Sequence, residues 1–161
     1  MRKIFLSVGI AGMMFSVSCN SINKMNADDA KTTKFKGDWE ITSINYEKGY
    51  KVKPFDEGAD SKCFIGSHWR LIPNNYSGAY TLNGGGSCPV KTQAIKFEIT
   101  KDNEFKFKKI EAGVKAKNIT SGYILQVEKQ DVDHFTLVQD VPFEGKILKV
   151  YYSFARTGML Q

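Results

Sequence analysis

From Phe35 onward, apolar and polar residues alternate one for one. In the stretch 93–100, Ile95, Phe97 and Ile99 interleave with Lys96, Glu98 and Thr100; in 104–109, Phe105 and Phe107 interleave with Lys106 and Lys108. A period of two places each set on one side of a half-buried strand. The same reading puts Tyr123, Leu125 and Val127 on one face of 122–129, Phe135 and Leu137 on one face of 133–140, and Leu148, Val150, Tyr152 and Phe154 on one face of 147–156. Earlier strands are expected in 37–46, 63–72 and 78–82. The separators carry turn chemistry: Pro73-Asn74-Asn75, Gly84-Gly85-Gly86, Lys101-Asp102-Asn103, Gln130-Asp131, and Pro142 to Gly145. No segment competes with a helical period.

About eight sequential antiparallel strands with one apolar face must bury that face, as a sandwich or as an up-and-down barrel that also removes its edges. The barrel is the expectation for residues 35–161. In such a meander the first and last strands meet, which brings Trp39 and Arg156 to one end, where a guanidinium over an indole would close it. The other end, around Tyr46 and Leu148, is then the mouth. Phe97, Phe105, Phe107, Tyr123, Leu125, Phe135, Leu148 and Tyr152 are the candidate interior or ligand-lining residues. So many rings can line a pocket or fill it.

The N-terminus follows a different pattern. Arg2 and Lys3 precede an uncharged apolar run, Ile4 to Val17, too short to span a bilayer and suited to a signal peptide over residues 1–18. Ser16-Val17-Ser18-Cys19 resembles the lipobox of bacterial lipoproteins, which implies a lipid on the Cys19 thiol; an ordinary secreted protein cut nearby is the alternative. Residues 19–34 are polar and read as a flexible tether. These features imply a lipid-anchored protein of the cell envelope, at the outer membrane, with either face open because no acidic run follows Cys19.

Removing residues 1–18 leaves 143 residues, enough for one core. It takes two of the 23 basic residues and none of the 17 acidic ones, for a net charge of +4, which is not a nucleic-acid footprint. In an oxidising compartment the remaining pair, Cys63 and Cys88, is expected to form a disulfide. The alternatives are two free thiols or a metal pair, and no histidine–cysteine spacing supports zinc.

Catalytic chemistry finds little to build on. His68 and His134 belong to no catalytic or metal motif, so neither an enzyme nor a cofactor is expected. Asp56, Glu57 and Asp60 could hold a cation weakly but read as a solvated loop. The lysine-rich stretch 105–117 sets Lys106 and Lys108 opposite its aromatics, as on an outer solvated surface.

Gly37-Asp38-Trp39 resembles the Gly-x-Trp motif of the lipocalins, in which a C-terminal arginine, here Arg156, packs across the tryptophan. Residues 63–75, followed by Cys88, resemble the lipocalin-like lipoproteins of Bacteroidetes. Without a helical pattern after the last strand, the resemblance favours that shorter bacterial domain; META-type envelope domains share the Gly-x-Trp start. It implies binding of a small hydrophobic ligand. The alternative is a filled barrel acting through its surface as an interaction or inhibitor module.

Overall fold

Eight strands follow one another around a closed barrel: β1 (Gly37–Asn45), β2 (His68–Ile72), β3 (Ser77–Gly85), β4 (Cys88–Ile99), β5 (Glu104–Lys109), β6 (Tyr123–Gln130), β7 (His134–Phe143) and β8 (Lys146–Gly158). This is a computed structural model, and it describes residues 32–160. The signal peptide, Cys19 and most of the tether expected from the sequence lie outside those residues. Each strand pairs antiparallel with the next, and β8 closes onto β1 with Trp39 opposite Arg156. The up-and-down barrel is therefore the fold, and none of its strands is left with an unpaired edge.

Three boundaries differ from those expected. The 63–72 strand begins only at His68, because Ser61–Phe64 forms a 3-10 turn capped by the Asp60 carboxylate, which accepts from the Lys62 N–H at 3.1 Å. Pro142 and Phe143 belong to β7, and the reversal is made by Glu144 and Gly145 alone, at φ 46° and 79°. A two-residue hairpin matching the twist of its strands needs positive φ at both positions, which glycine adopts freely. Finally, β3 and β4 reach further toward each other than 78–82 and 93–100, pairing Gly85 with Cys88.

The alternating residues meet inside. Phe97, Phe105, Phe107, Leu125, Phe135, Leu148, Val150, Tyr152 and Phe154 are buried, and Tyr123 is half-buried against them. Burying each such side chain contributes roughly 1.5–3 kcal/mol over leaving it exposed. The rings pack edge-on or offset rather than as loose filler: Phe135 stacks on Phe154 at 4.3 Å, and Phe97 on Phe105 at 5.3 Å.

Candidate functional site: the two ends of the barrel

The base is sealed by Trp39. Its indole is fully buried, meets Phe135 edge-on at 4.6 Å and donates its Nε1–H to the Phe35 carbonyl at 2.9 Å. The Arg156 guanidinium lies 4.1 Å from the indole centroid. It donates to three backbone carbonyls: Val132 at 2.7 Å, Lys36 at 2.7 Å and Lys34 at 3.0 Å. Gly37 sits beneath it at φ 148°, where a Cβ would run into Arg156 Nη1 and stand 2.9 Å from the Gly158 carbonyl. Only glycine lets the backbone pass there.

The opposite end is covered by the long connection between β1 and β2, residues 46–67. It is tied internally, the Ser61 N–H donating to Val52 O at 2.9 Å, and pinned to the barrel by a disulfide that joins Cys63 to Cys88 at the start of β4. Phe55 hangs from this connection into the barrel and is buried. Its ring lies 5.0 Å from Phe107, 5.4 Å from Tyr123, 5.2 Å from Tyr152, 6.0 Å from Trp69 and 5.6 Å from Phe64. It thus touches rings from β2, β5, β6 and β8 at once. The placement is strained, since Phe55 and Asp56 both adopt left-handed backbone angles, φ 54° and 51°. Such residues cost on the order of 1–3 kcal/mol each and persist only where surrounding contacts hold them.

Glu57 supplies part of that hold. Its side chain is 1 % exposed and points back into the barrel wall. One carboxylate oxygen accepts from Tyr80 Oη at 2.5 Å and Lys109 Nζ at 3.2 Å, and the other pairs with Lys91 Nζ. Lys109 also donates to the Phe55 carbonyl at 2.8 Å, and Tyr123 Oη donates to Asp56 at 2.8 Å. Burial pushes the Glu57 carboxyl up, but the hydrogen bonds from Lys91, Tyr80 and Lys109 outweigh it and hold its pKa below the ordinary range. Burial and the Glu57 hydrogen bond push the Tyr80 phenol well up, so it stays a donor.

The solvated loop expected around Asp56, Glu57 and Asp60 is therefore corrected: Glu57 is a buried counter-ion, carried inward with Phe55. The signal was in the alternation. Lys91 has the parity of Ile95 and Phe97 on β4, and Lys109 that of Phe105 and Phe107 on β5. Lys109 is partly buried and Lys91 stays exposed at the rim, and both reach Glu57 across the barrel end. The histidines stay outside this site: His68 lies beside Asp38 on the wall at 3.3 Å, and His134 beside Asp131 at 3.4 Å.

A cleft of about 450 Å³ opens beside the plug, lined in part by Val52, Phe55, Tyr123, Val141, Phe143 and Leu148. Of the candidate lining residues, Tyr123 and Leu148 reach this cleft and Phe107 and Tyr152 reach the Phe55 ring. Phe105 and Phe135 belong to the base, in contact with Phe35.

No family model and no curated protein matches the chain. Solved structures that resemble it are lipocalins and odorant-binding proteins. A bovine odorant-binding protein in complex with a selenium-containing odorant is 11 % identical, with 80 % of this chain and 74 % of that one covered and a TM-score of 0.46. The bovine lipocalin allergen Bos d 2 is 15 % identical over 81 % and 77 %, at 0.46. A further odorant-binding protein, OBP1, is 13 % identical over 81 % and 76 %, at 0.47. Likenesses of this size concern the course of the chain, not its ligand.

Proposed function

We propose that this chain is a lipid-anchored protein of the cell envelope, attached through Cys19 at the outer membrane, whose barrel binds a small hydrophobic ligand through the end covered by residues 46–67. The observation carrying the ligand reading is the cleft of about 450 Å³ beside Phe55, within the size range of small-molecule sites and lined largely by apolar side chains. The anchor reading rests on the Arg2-Lys3 start, the apolar run and the Ser16-Val17-Ser18-Cys19 sequence. Together they describe a binding protein, with no catalytic step assigned.

A second reading, a filled barrel acting through its surface, is favoured by one fact: the Phe55 ring occupies the space between β2, β5, β6 and β8. Titration of a fluorescent apolar probe separates the two. Ligand binding predicts saturable uptake by the wild-type protein and its loss in Leu148→Trp, with little change in stability. A filled barrel predicts no uptake, and a destabilisation of roughly 1–3 kcal/mol from overpacking in the mutant. The anchor is tested separately: Cys19→Ala should leave the membrane fraction or remain unprocessed, and unchanged attachment would overturn it.

A further inference from the structure

We infer that Phe55-Asp56-Glu57 is a built-in stand-in for the ligand, and that the molecule displacing it is an apolar carboxylate, with an aromatic or short acyl body and one anionic head. This rests on reading the covered end as a ligand entrance, and it names the chemistry of what enters.

The plug divides into two parts that together describe such a molecule. Its body is the Phe55 ring, held by Trp69, Phe107, Tyr123 and Tyr152 of the barrel wall. Its head is the Glu57 carboxylate, held by Tyr80, Lys91 and Lys109. All seven of these partners stand on strands; the acid and the ring stand on the connection. The wall is thus a complete receptor for a ring joined to a carboxylate by a short spacer, and the chain fills it with its own residues.

Removing the plug would expose an unbalanced site. Partly buried Lys109 and rim-exposed Lys91 would both lose Glu57, the only carboxylate each of them pairs with among the described residues, and buried Tyr80 would lose its acceptor. A neutral apolar ligand would fill the space of Phe55 but leave the buried Tyr80 hydroxyl and the partly buried Lys109 ammonium without the oxygen they share. Leaving a buried donor unsatisfied and a half-covered cation unpaired is costly, so a neutral molecule competes poorly with the plug. A carboxylate restores the pairing and accepts the Tyr80 hydroxyl as Glu57 does. The plug can leave: two of its residues hold left-handed backbone angles, and Gly49 and Gly58 flank it at φ 97° and 72°.

The test compares phenylbutyrate with phenylbutanol, which share a body and differ in the head, on the full-length chain purified from whichever cell fraction holds it. Calorimetric titration should give phenylbutyrate an affinity about tenfold or more above the alcohol. Hydrogen exchange over residues 50–62 should rise when the carboxylate binds, because the plug is expelled. Glu57→Gln should tighten phenylbutyrate severalfold by weakening the internal competitor, and Lys109→Met should weaken it while moving the alcohol by less than twofold. The Lys109 variant keeps the test usable if the Glu57 variant does not fold. Equal affinity for the two probes, or carboxylate binding without faster exchange at 50–62, overturns this inference and leaves the broader ligand reading standing. Binding of neither probe, together with no uptake of any apolar probe, overturns both.

Discussion

Both ends of this barrel are closed by an aromatic ring and a buried ion, yet the two closures differ in kind. At the base, Trp39 lies on β1 itself, and Arg156 ties β8 to the backbone at Lys34, Lys36 and Val132. Ring and cation are part of the sheet, so opening that end means unzipping the strands that define the fold. At the mouth, Phe55 and Glu57 sit on a connection that contributes no strand, held in unfavourable backbone angles by charges on the wall. Opening that end leaves the ladder of hydrogen bonds intact. The base is closed by the sheet itself, whereas the mouth is closed by a connection.

The largest test of this contrast is Trp39→Ala. Deleting a fully buried indole should cost roughly 3–5 kcal/mol, read from urea unfolding. A loss under about 1 kcal/mol would mean the base does not hold the barrel shut. Next is the disulfide. Replacing Cys63 and Cys88 by serine should cost roughly 2–4 kcal/mol by freeing the denatured chain. It should also raise hydrogen exchange across 50–62 more than across β1 and β8, because it unpins the plug.

Acid offers a milder way to the same end. The Glu57 pKa is lower in the folded protein than in the unfolded chain, so its contribution is complete above the ordinary carboxylate range and is lost as pH falls through the folded value. Lys91, Lys109 and Tyr80 face it, and the Tyr80 phenol, pushed well up by burial and by Glu57, stays protonated throughout. Exchange over 50–62 should therefore quicken below about pH 4 while the Trp39 end stays protected. Equal loosening of both ends would break the comparison. The smallest effect is expected on the outer wall. Asp38 is held by Arg70 at 2.8 Å, a pair whose arginine is largely exposed, so Asp38→Asn should cost no more than about 1 kcal/mol, and less in high salt.

The barrel was legible because each strand has one wet side. Phe105 and Phe107 against Lys106 and Lys108 state the pleat residue by residue, and eight such runs leave few ways to bury the apolar faces. The plug was not legible for the opposite reason. Residues 46–67 have no period, and their burial is decided by what the finished barrel offers: a ring-lined space for Phe55 and two lysines for Glu57. Asp56, Glu57 and Asp60 look alike in sequence, yet the wall takes Glu57 deepest. The one local hint, the parity that Lys91 and Lys109 share with buried Phe97 and Phe107, becomes informative only once β4 is extended back to Cys88.

If Phe55 exchanges with a ligand as proposed, its tether between β1 and the Cys63–Cys88 bond would fix how the mouth answers to concentration. A ring on a short chain segment meets its pocket at an effective concentration on the order of millimolar. Any incoming molecule competes against that constant supply, so the affinity seen from solution is weaker than the pocket's own by the fraction of time the plug is out. Trace amounts would pass unbound, and occupancy would climb only where the molecule is locally abundant. When the supply fell, the plug would compete for the emptied space, so a bound molecule would be let go without any further signal.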